Sequence, residues 1–360
     1  MYVYIFIWLF ILGIFVNRIE IYNIESDENG ELIKRWYLFP AVLLFFPVFW
    51  TACMKAPIND VPLYIFSYNS LPTARKDVIE YISNMESGQG FIILEEIIKV
   101  IFGGSATAFR IIIALIHSIP IICIFRKYCD DYWIGIYLFV ASACHIGWMM
   151  NGMRQFIAVV MIFSALPLML EKKRVKVIIV ILLAMTIHIS AALMIPVVLI
   201  VQGRAWNKKT LLFIIIAIIA MFMFNRNEAL VEIFLKGTEY EGSMVSLQSM
   251  GDDGVNPLRV LVSAVPMILS LFERKVIQEE KRQLVHICIN MSIVTVGMNL
   301  VAMVTSGILA GRLAIYTNLY GFLIMPYLIR KGFTQESQKI VNLMLIICYF
   351  VYYCFEVGAL

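Results

Sequence analysis

The chain has 360 residues, 61% of them apolar and only 15% charged, with a mean hydropathy of +0.85. Soluble domains carry about a quarter charged residues, so a soluble enzyme is excluded and the composition describes an all-α polytopic membrane protein, one integral membrane domain over 1–360. The net charge of +4, from 29 Lys and Arg against 25 Asp and Glu, is too small to point to nucleic acid; the seven cysteines form no C-x-x-C pair and read as buried thiols.

A bilayer core takes about 20 apolar residues per helix. Apolar runs lie at 1–16, 36–54, 108–125, 133–150, 153–170, 175–202, 210–225, 257–272, 284–306, 312–329 and 340–356. They predict about 11 to 12 membrane helices. The first run has no basic residue before it and no small-residue cleavage site after it, so it reads as a retained helix. The densest basic segment, Glu171 to Lys176, belongs in the cytoplasm. Both ends of 175–202 are basic, which predicts a broken hairpin turning near His188-Ile-Ser190. On that topology 19 of the 29 basic residues are inside, while 55–107 and an acidic loop at 226–256 are outside.

The outer segments hold the unusual polar residues. In 55–107, Asn59-Asp60-Val-Pro62 is a helix start, with Asp60 able to cap it and Pro62 in the first turn. Asp60, Tyr64 and Tyr68 then recur every fourth residue on one face, which fits either tyrosines of the interfacial belt or an acidic and aromatic wall for a sugar. The turn Glu86-Ser-Gly-Gln-Gly90-Phe91 feeds an amphipathic helix that lies on or partly in the membrane, where Glu95 and Lys99 have the spacing of a surface ion pair.

Asn151-Gly-Met-Arg154-Gln155 lies at the outer end of two apolar runs, where a helix begins. Free N–H groups and an arginine there make an anion site suited to phosphate, although an arginine reaching for lipid headgroups has the same pattern. Arg312, at the outer end of its own span with Tyr316 one turn on, is a second cation of this kind. His188 marks the break in 175–202 and fits a general base, a donor to an anion, or a plain polar contact. There is no Walker or Rossmann glycine pattern and no metal-ligand set, so no cofactor is expected and the substrate must bring its own activation.

Taken in order, Asp60-x-x-x-Tyr64-x-x-x-Tyr68, Gly90-Phe91, Asn151-x-x-Arg154-Gln155-x-x-Ala158, His188-x-Ser190-Ala191 and Arg312-x-x-x-Tyr316 followed by Pro326 resemble the EpsG family, a branch of the Wzy-type polysaccharide polymerases. The resemblance spans about 55–330, with Ile58-Asn59-Asp60 and Glu86-Ser-Gly-Gln-Gly90 departing from the family's usual Gly-Thr-Asp-like and Glu-Pro-Gly-like segments. It implies a GT-C-like glycosyltransferase at the outer face of a bacterial cytoplasmic membrane. Such an enzyme makes exopolysaccharide, capsule or O-antigen from undecaprenyl-diphosphate-linked oligosaccharide repeat units. It would work beside a flippase and a chain-length regulator. Under that implication Asp60 and His188 are the catalytic candidates, and Arg154, Arg312, Asn151, Gln155, Tyr64, Tyr68 and Tyr316 bind substrate. A flippase for the same lipid-linked glycan, or a non-catalytic export component, are the rival readings.

Overall fold

The computed structural model describes residues 2–16, 21–26, 30, 32–54, 60–72, 75–85, 87–224, 254–307 and 310–358. The expected acidic loop at 226–256 lies almost wholly outside these residues, as do Asn59 and Glu86. Two compact units emerge: Met1–Ile195 together with Lys339–Leu360, and Pro196–Gln338.

In the first unit, α1 (Val3–Val16) precedes an antiparallel hairpin, β1 (Tyr22–Ser26) with β2 (Leu32–Trp36), in which Tyr22 pairs with Trp36. The segment between the first two apolar runs is therefore part strand. Tertiary contacts outweigh its charge: Ile33 and Trp36 are buried, Arg35 Nη1 donates to Cys129 O at 2.6 Å and Arg126 Nε donates to Trp36 O at 2.7 Å. The helix α2 (Leu38–Met54) then packs on α6 (Ala106–Tyr128), α6 on α9 (Met153–Ser164), and α9 on α11 (Arg174–Ile187). Between them come α3 (Val61–Ser70), α4 (Arg75–Ser83) and α5 (Gln89–Phe102). Side chains of α3, α5, α6, α9 and α11 share one core that includes Tyr68, Phe91, Phe109, Ile157 and Ile187. The polar residue Glu95 faces that core, while Ile93, Ile97, Val100 and Ile101 of the same helix are exposed, as suits a helix with lipid on its outer side.

Three apolar runs fold with a break. The run 133–150 becomes α7 (Tyr132–Ala141) and α8 (Cys144–Met150), bent by 72°. At the bend Ala143 adopts φ +56°, and Ser142 Oγ donates back to Phe139 O at 2.9 Å. In 153–170, Pro167 starts the short α10 (Leu166–Leu170) just after α9. In 175–202, α11 stops at His188, which is extended at φ −148° and ψ 118°; a 3-10 turn (Ile189–Leu193) and α12 (Met194–Ile200) follow, so the break falls where the sequence places it.

In the second unit, α16 (Gln283–Val304) is central, packed by α13 (Lys208–Phe224), α14 (Pro257–Phe272) and α17 (Ile315–Gly332); α15 (Arg274–Glu279) follows α14, and α18 (Gln335–Glu356) runs on into the first unit. Polar side chains of α16 bond to its neighbours inside the unit: Thr295 Oγ1 donates to Thr317 Oγ1 at 2.7 Å and Asn299 Nδ2 to Ser263 Oγ at 3.0 Å, while Asn299 Oδ1 is buried without a partner.

Among the described residues, Ala106–Tyr128, Gln283–Val304 and Gln335–Glu356 are each long and apolar enough to cross a membrane, and the bent pair α7–α8 is either a broken span or a re-entrant loop. Among the described residues, five further apolar helices, Val3–Phe15, Leu38–Met54, Met153–Ser164, Ile189–Ile200 and Pro257–Phe272, are shorter than a full bilayer span. The fold class stands: an all-α polytopic membrane protein, with one small hairpin among the described residues.

Candidate functional site

The site begins where α5 starts. Gly88 adopts φ +83°, a conformation that glycine takes without a Cβ clash. Gly90 lets α5 touch α11, since a Cβ there would lie 2.2 Å from Thr186 Oγ1 and 3.0 Å from the Thr186 carbonyl carbon. Phe91 follows, fully in the core, with Tyr64 of α3 edge-on to its ring at 5.8 Å.

Arg154 is the second residue of α9. Its guanidinium lies over the Phe91 ring at 5.8 Å and against Gly88, where a Cβ would come within 2.5 Å of Nη2. Its Nε is buried with no hydrogen-bond partner. The start of α9 is itself pinned: the fully buried His117 of α6 donates from Nε2 to Met153 O at 3.2 Å and meets the Phe156 ring edge-on at 5.0 Å. His117 carried no signal in the sequence beyond its place in an apolar run. Asn151 is half-buried and ends α8, its N–H donating to Gly147 O at 3.0 Å.

Gln155, the next residue, is 3% exposed and its Nε2 donates to Ser190 Oγ at 3.4 Å. Ser190 in turn faces His188: its Oγ lies 2.8 Å from Nδ1, and its backbone N–H donates to the same Nδ1 at 3.4 Å. A backbone N–H can only donate, so Nδ1 must be the lone-pair nitrogen and the neutral ring carries its proton on Nε2. In that tautomer the N–H of the His188 ring is at Nε2.

Glu95 of α5 also borders this set. Glu95 is fully buried, its Oε2 accepting from Ser67 Oγ at 3.4 Å and its Oε1 left without a partner. Burial pushes its carboxyl up to about 7; the Ser67 hydroxyl and the charges of Arg154 and Lys99 oppose this. The expected Glu95–Lys99 surface pair does not form. Lys99 Nζ instead donates to the carbonyls of Tyr68, Asn69 and Leu71 at 3.2, 3.3 and 2.8 Å, capping the end of α3, where helix-end carbonyls lack intrahelical partners. The signal that points to Glu95 is a carboxylate on an otherwise apolar helix just after a glycine-rich turn.

Two expectations for α3 change. Tyr68 has no exposed surface and stacks on Phe109 at 4.6 Å, so it is core and not a sugar wall. Asp60 stands at the N-cap position, exposed, with αR backbone angles that keep its carboxylate from making a cap bond. Pro62 does occupy the first turn.

The structure therefore brings Arg154, Gln155, His188, Ser190, Phe91 and Tyr64 into one linked set. Asp60 stands one turn before Tyr64, whose N–H bonds the Asp60 carbonyl at 3.2 Å.

Arg312 and Tyr316 belong to the second unit. Arg312 closes a 3-10 turn (Ala310–Arg312) and is half-buried, while Arg259 of α14 holds the neighbouring Gly311 carbonyl at 3.2 Å. Tyr316 is 1% exposed, packed inside its unit. Among the described residues no group of three or more His, Cys, Asp or Glu could hold a metal ion.

Compared with known protein families, residues 36–358 match the family described as the EpsG family. No curated protein and no solved structure matches the chain.

Proposed function

The chain belongs to the EpsG family, and from that premise we propose that it is a polysaccharide polymerase of the membrane that elongates glycan on a lipid diphosphate. The family supports polymerisation; the observation that carries the donor chemistry is Arg154, a guanidinium fixed by Gly88 and Phe91 with a buried Nε awaiting an acceptor.

In the proposed reaction the anomeric carbon of the donor glycan breaks its bond to the diphosphate oxygen and forms one to a hydroxyl of the acceptor sugar. The hydroxyl proton passes to a base, and undecaprenyl diphosphate leaves with the bonding electrons. Charge grows on the diphosphate as the bond breaks, and a fixed cation there lowers the barrier. Arg154 supplies it; His188 adds a neutral donor through Nε2, with Ser190 and Gln155 holding the ring. Asp60, exposed at the start of α3, is the carboxylate available to an acceptor hydroxyl, and Tyr64 is the tyrosine with surface to offer a sugar. Arg312, in the second unit, is taken as a separate substrate-binding cation, and Asn151 orders the turn into α9. The enzyme is taken to be GT-C-like in architecture, to sit in the bacterial cytoplasmic membrane with this site outward, and to use repeat units delivered by a flippase, with a chain-length regulator as partner.

Purified protein in lipid, given lipid-linked repeat units but neither ATP nor nucleotide sugar, is expected to make longer glycan. Absence of any elongation rejects the enzyme reading and favours a flippase or a passive export component.

A further inference from the structure

Glu95 is a carboxylate where a helix with a lipid-facing side has little use for one. It has no exposed surface, and one of its oxygens lacks any partner. It follows Phe91 by four residues, on the same face of α5 one turn on, and Phe91 is the ring beneath the Arg154 guanidinium. Nε of Arg154 is buried and unpartnered as well. The Arg154 charge acts on the Glu95 carboxyl across this turn of α5, where burial of both polar atoms weakens screening by water.

We propose that Glu95 is a positioning residue for Arg154 that makes anion binding proton-linked: ionised, it holds the guanidinium and offsets its charge; protonated, it leaves that charge wholly to a bound diphosphate. This rests on the reading of Arg154 as the diphosphate cation.

The groups around Glu95 support such a switch. Arg154 of α9 and Lys99 of its own helix are the cations that act on it, and Lys99 is committed to the end of α3. Tyr68 of α3 is influenced by both Glu95 and Glu96. Phe109 of α6 closes the core beside Tyr68, and α11 presents Thr186 to the first turn of α5. Burial raises the carboxyl to about 7, so the exchange falls near neutral pH. By reciprocity, a bound anion must raise the proton affinity of Glu95 by the same factor that protonation raises anion affinity.

The test uses the full chain in lipid nanodiscs and a short prenyl-diphosphate glycoside, a diester whose diphosphate does not titrate near neutral pH. Wild type is expected to bind it about three- to tenfold tighter at about pH 6 than at about pH 8, with uptake of part of a proton per ligand at about pH 7.5. Glu95→Gln, close in shape to the protonated form, is expected to bind at the tighter level at both pH values. Equal pH slopes in wild type and Glu95→Gln, a flat wild-type profile, or no proton uptake overturns the role of Glu95; if Arg154→Ala still loses binding, the diphosphate reading survives that result. Wild-type binding by Arg154→Ala, or no binding by wild type, overturns both. Proton uptake is read on the wild-type protein, so it decides the matter even if the Gln variant misfolds.

Discussion

Arg154 rests on Gly88 so closely that a single methyl group at Gly88 would sit 2.5 Å from Nη2 and 3.0 Å from Cζ. Gly88 is also at φ +83°, where a Cβ costs about 1 kcal/mol. Gly88→Ala is therefore expected to displace the guanidinium while leaving the bundle assembled. Elongation should fall sharply with little change in the size-exclusion profile, and wild-type elongation by this variant would show that Arg154 does not need this seat.

Gly90 packs against backbone, which cannot yield as a side chain can. A Cβ there meets the Thr186 carbonyl carbon at 3.0 Å and Oγ1 at 2.2 Å. Gly90→Ala should cost about 1–3 kcal/mol by overpacking, read as a lower thermal midpoint. Adding Thr186→Ala removes the oxygen but not the backbone clash, so it should restore only part of the loss; full restoration would place the clash in the side chain alone.

His188→Gln separates a donor from a base. The Gln amide nitrogen can stand near Nε2 and donate, yet it cannot take up a proton at neutral pH. Substantial elongation in His188→Gln and little in His188→Ala is the expected pattern; equal loss in both would favour the base.

Lys99 joins α5 to the end of α3 through three carbonyls. Charged hydrogen bonds are worth about 1.5–3 kcal/mol each before desolvation is counted, so Lys99→Met should lower the thermal midpoint, with Lys99→Arg between it and wild type. An unchanged midpoint in Lys99→Met would mean water serves those carbonyls equally well.

In the second unit burial raises the Glu273 carboxyl from 4.5 to about 8. The folded state therefore keeps a proton that the unfolded chain has released, and stability falls as pH rises from about 4.5 through about 8. Glu273→Gln should melt higher than wild type at about pH 8.5 and alike at about pH 4. A gap that stays constant with pH would assign the difference to packing against Gly332.

Helix positions were legible because hydropathy marks them: among the described residues the apolar runs turn helical, and a helix break falls near His188 as expected. The kink at Ala143 was not legible, since it depends on a local backbone angle and a serine bond that hydropathy does not encode. At the site, Arg154, Gln155 and His188 were legible as rare polar residues at helix ends. Glu95 was hidden because i, i+4 spacing to Lys99 suggests a surface pair whichever way the helix faces. Tyr68 misled for the same reason: its period fixes a face, and only packing against Phe109 says that the face is inward.

The most direct measurement is elongation by purified Arg154→Ala and Arg154→Lys beside wild type, with lipid-linked repeat units as the only substrate and thermal midpoints checked for each. Removal of a fixed charge-stabilising donor costs about 100-fold or more in rate, so Arg154→Ala should lose elongation to that extent with its midpoint kept, and Arg154→Lys should retain a fraction. Elongation by Arg154→Ala at the wild-type rate would contradict the account.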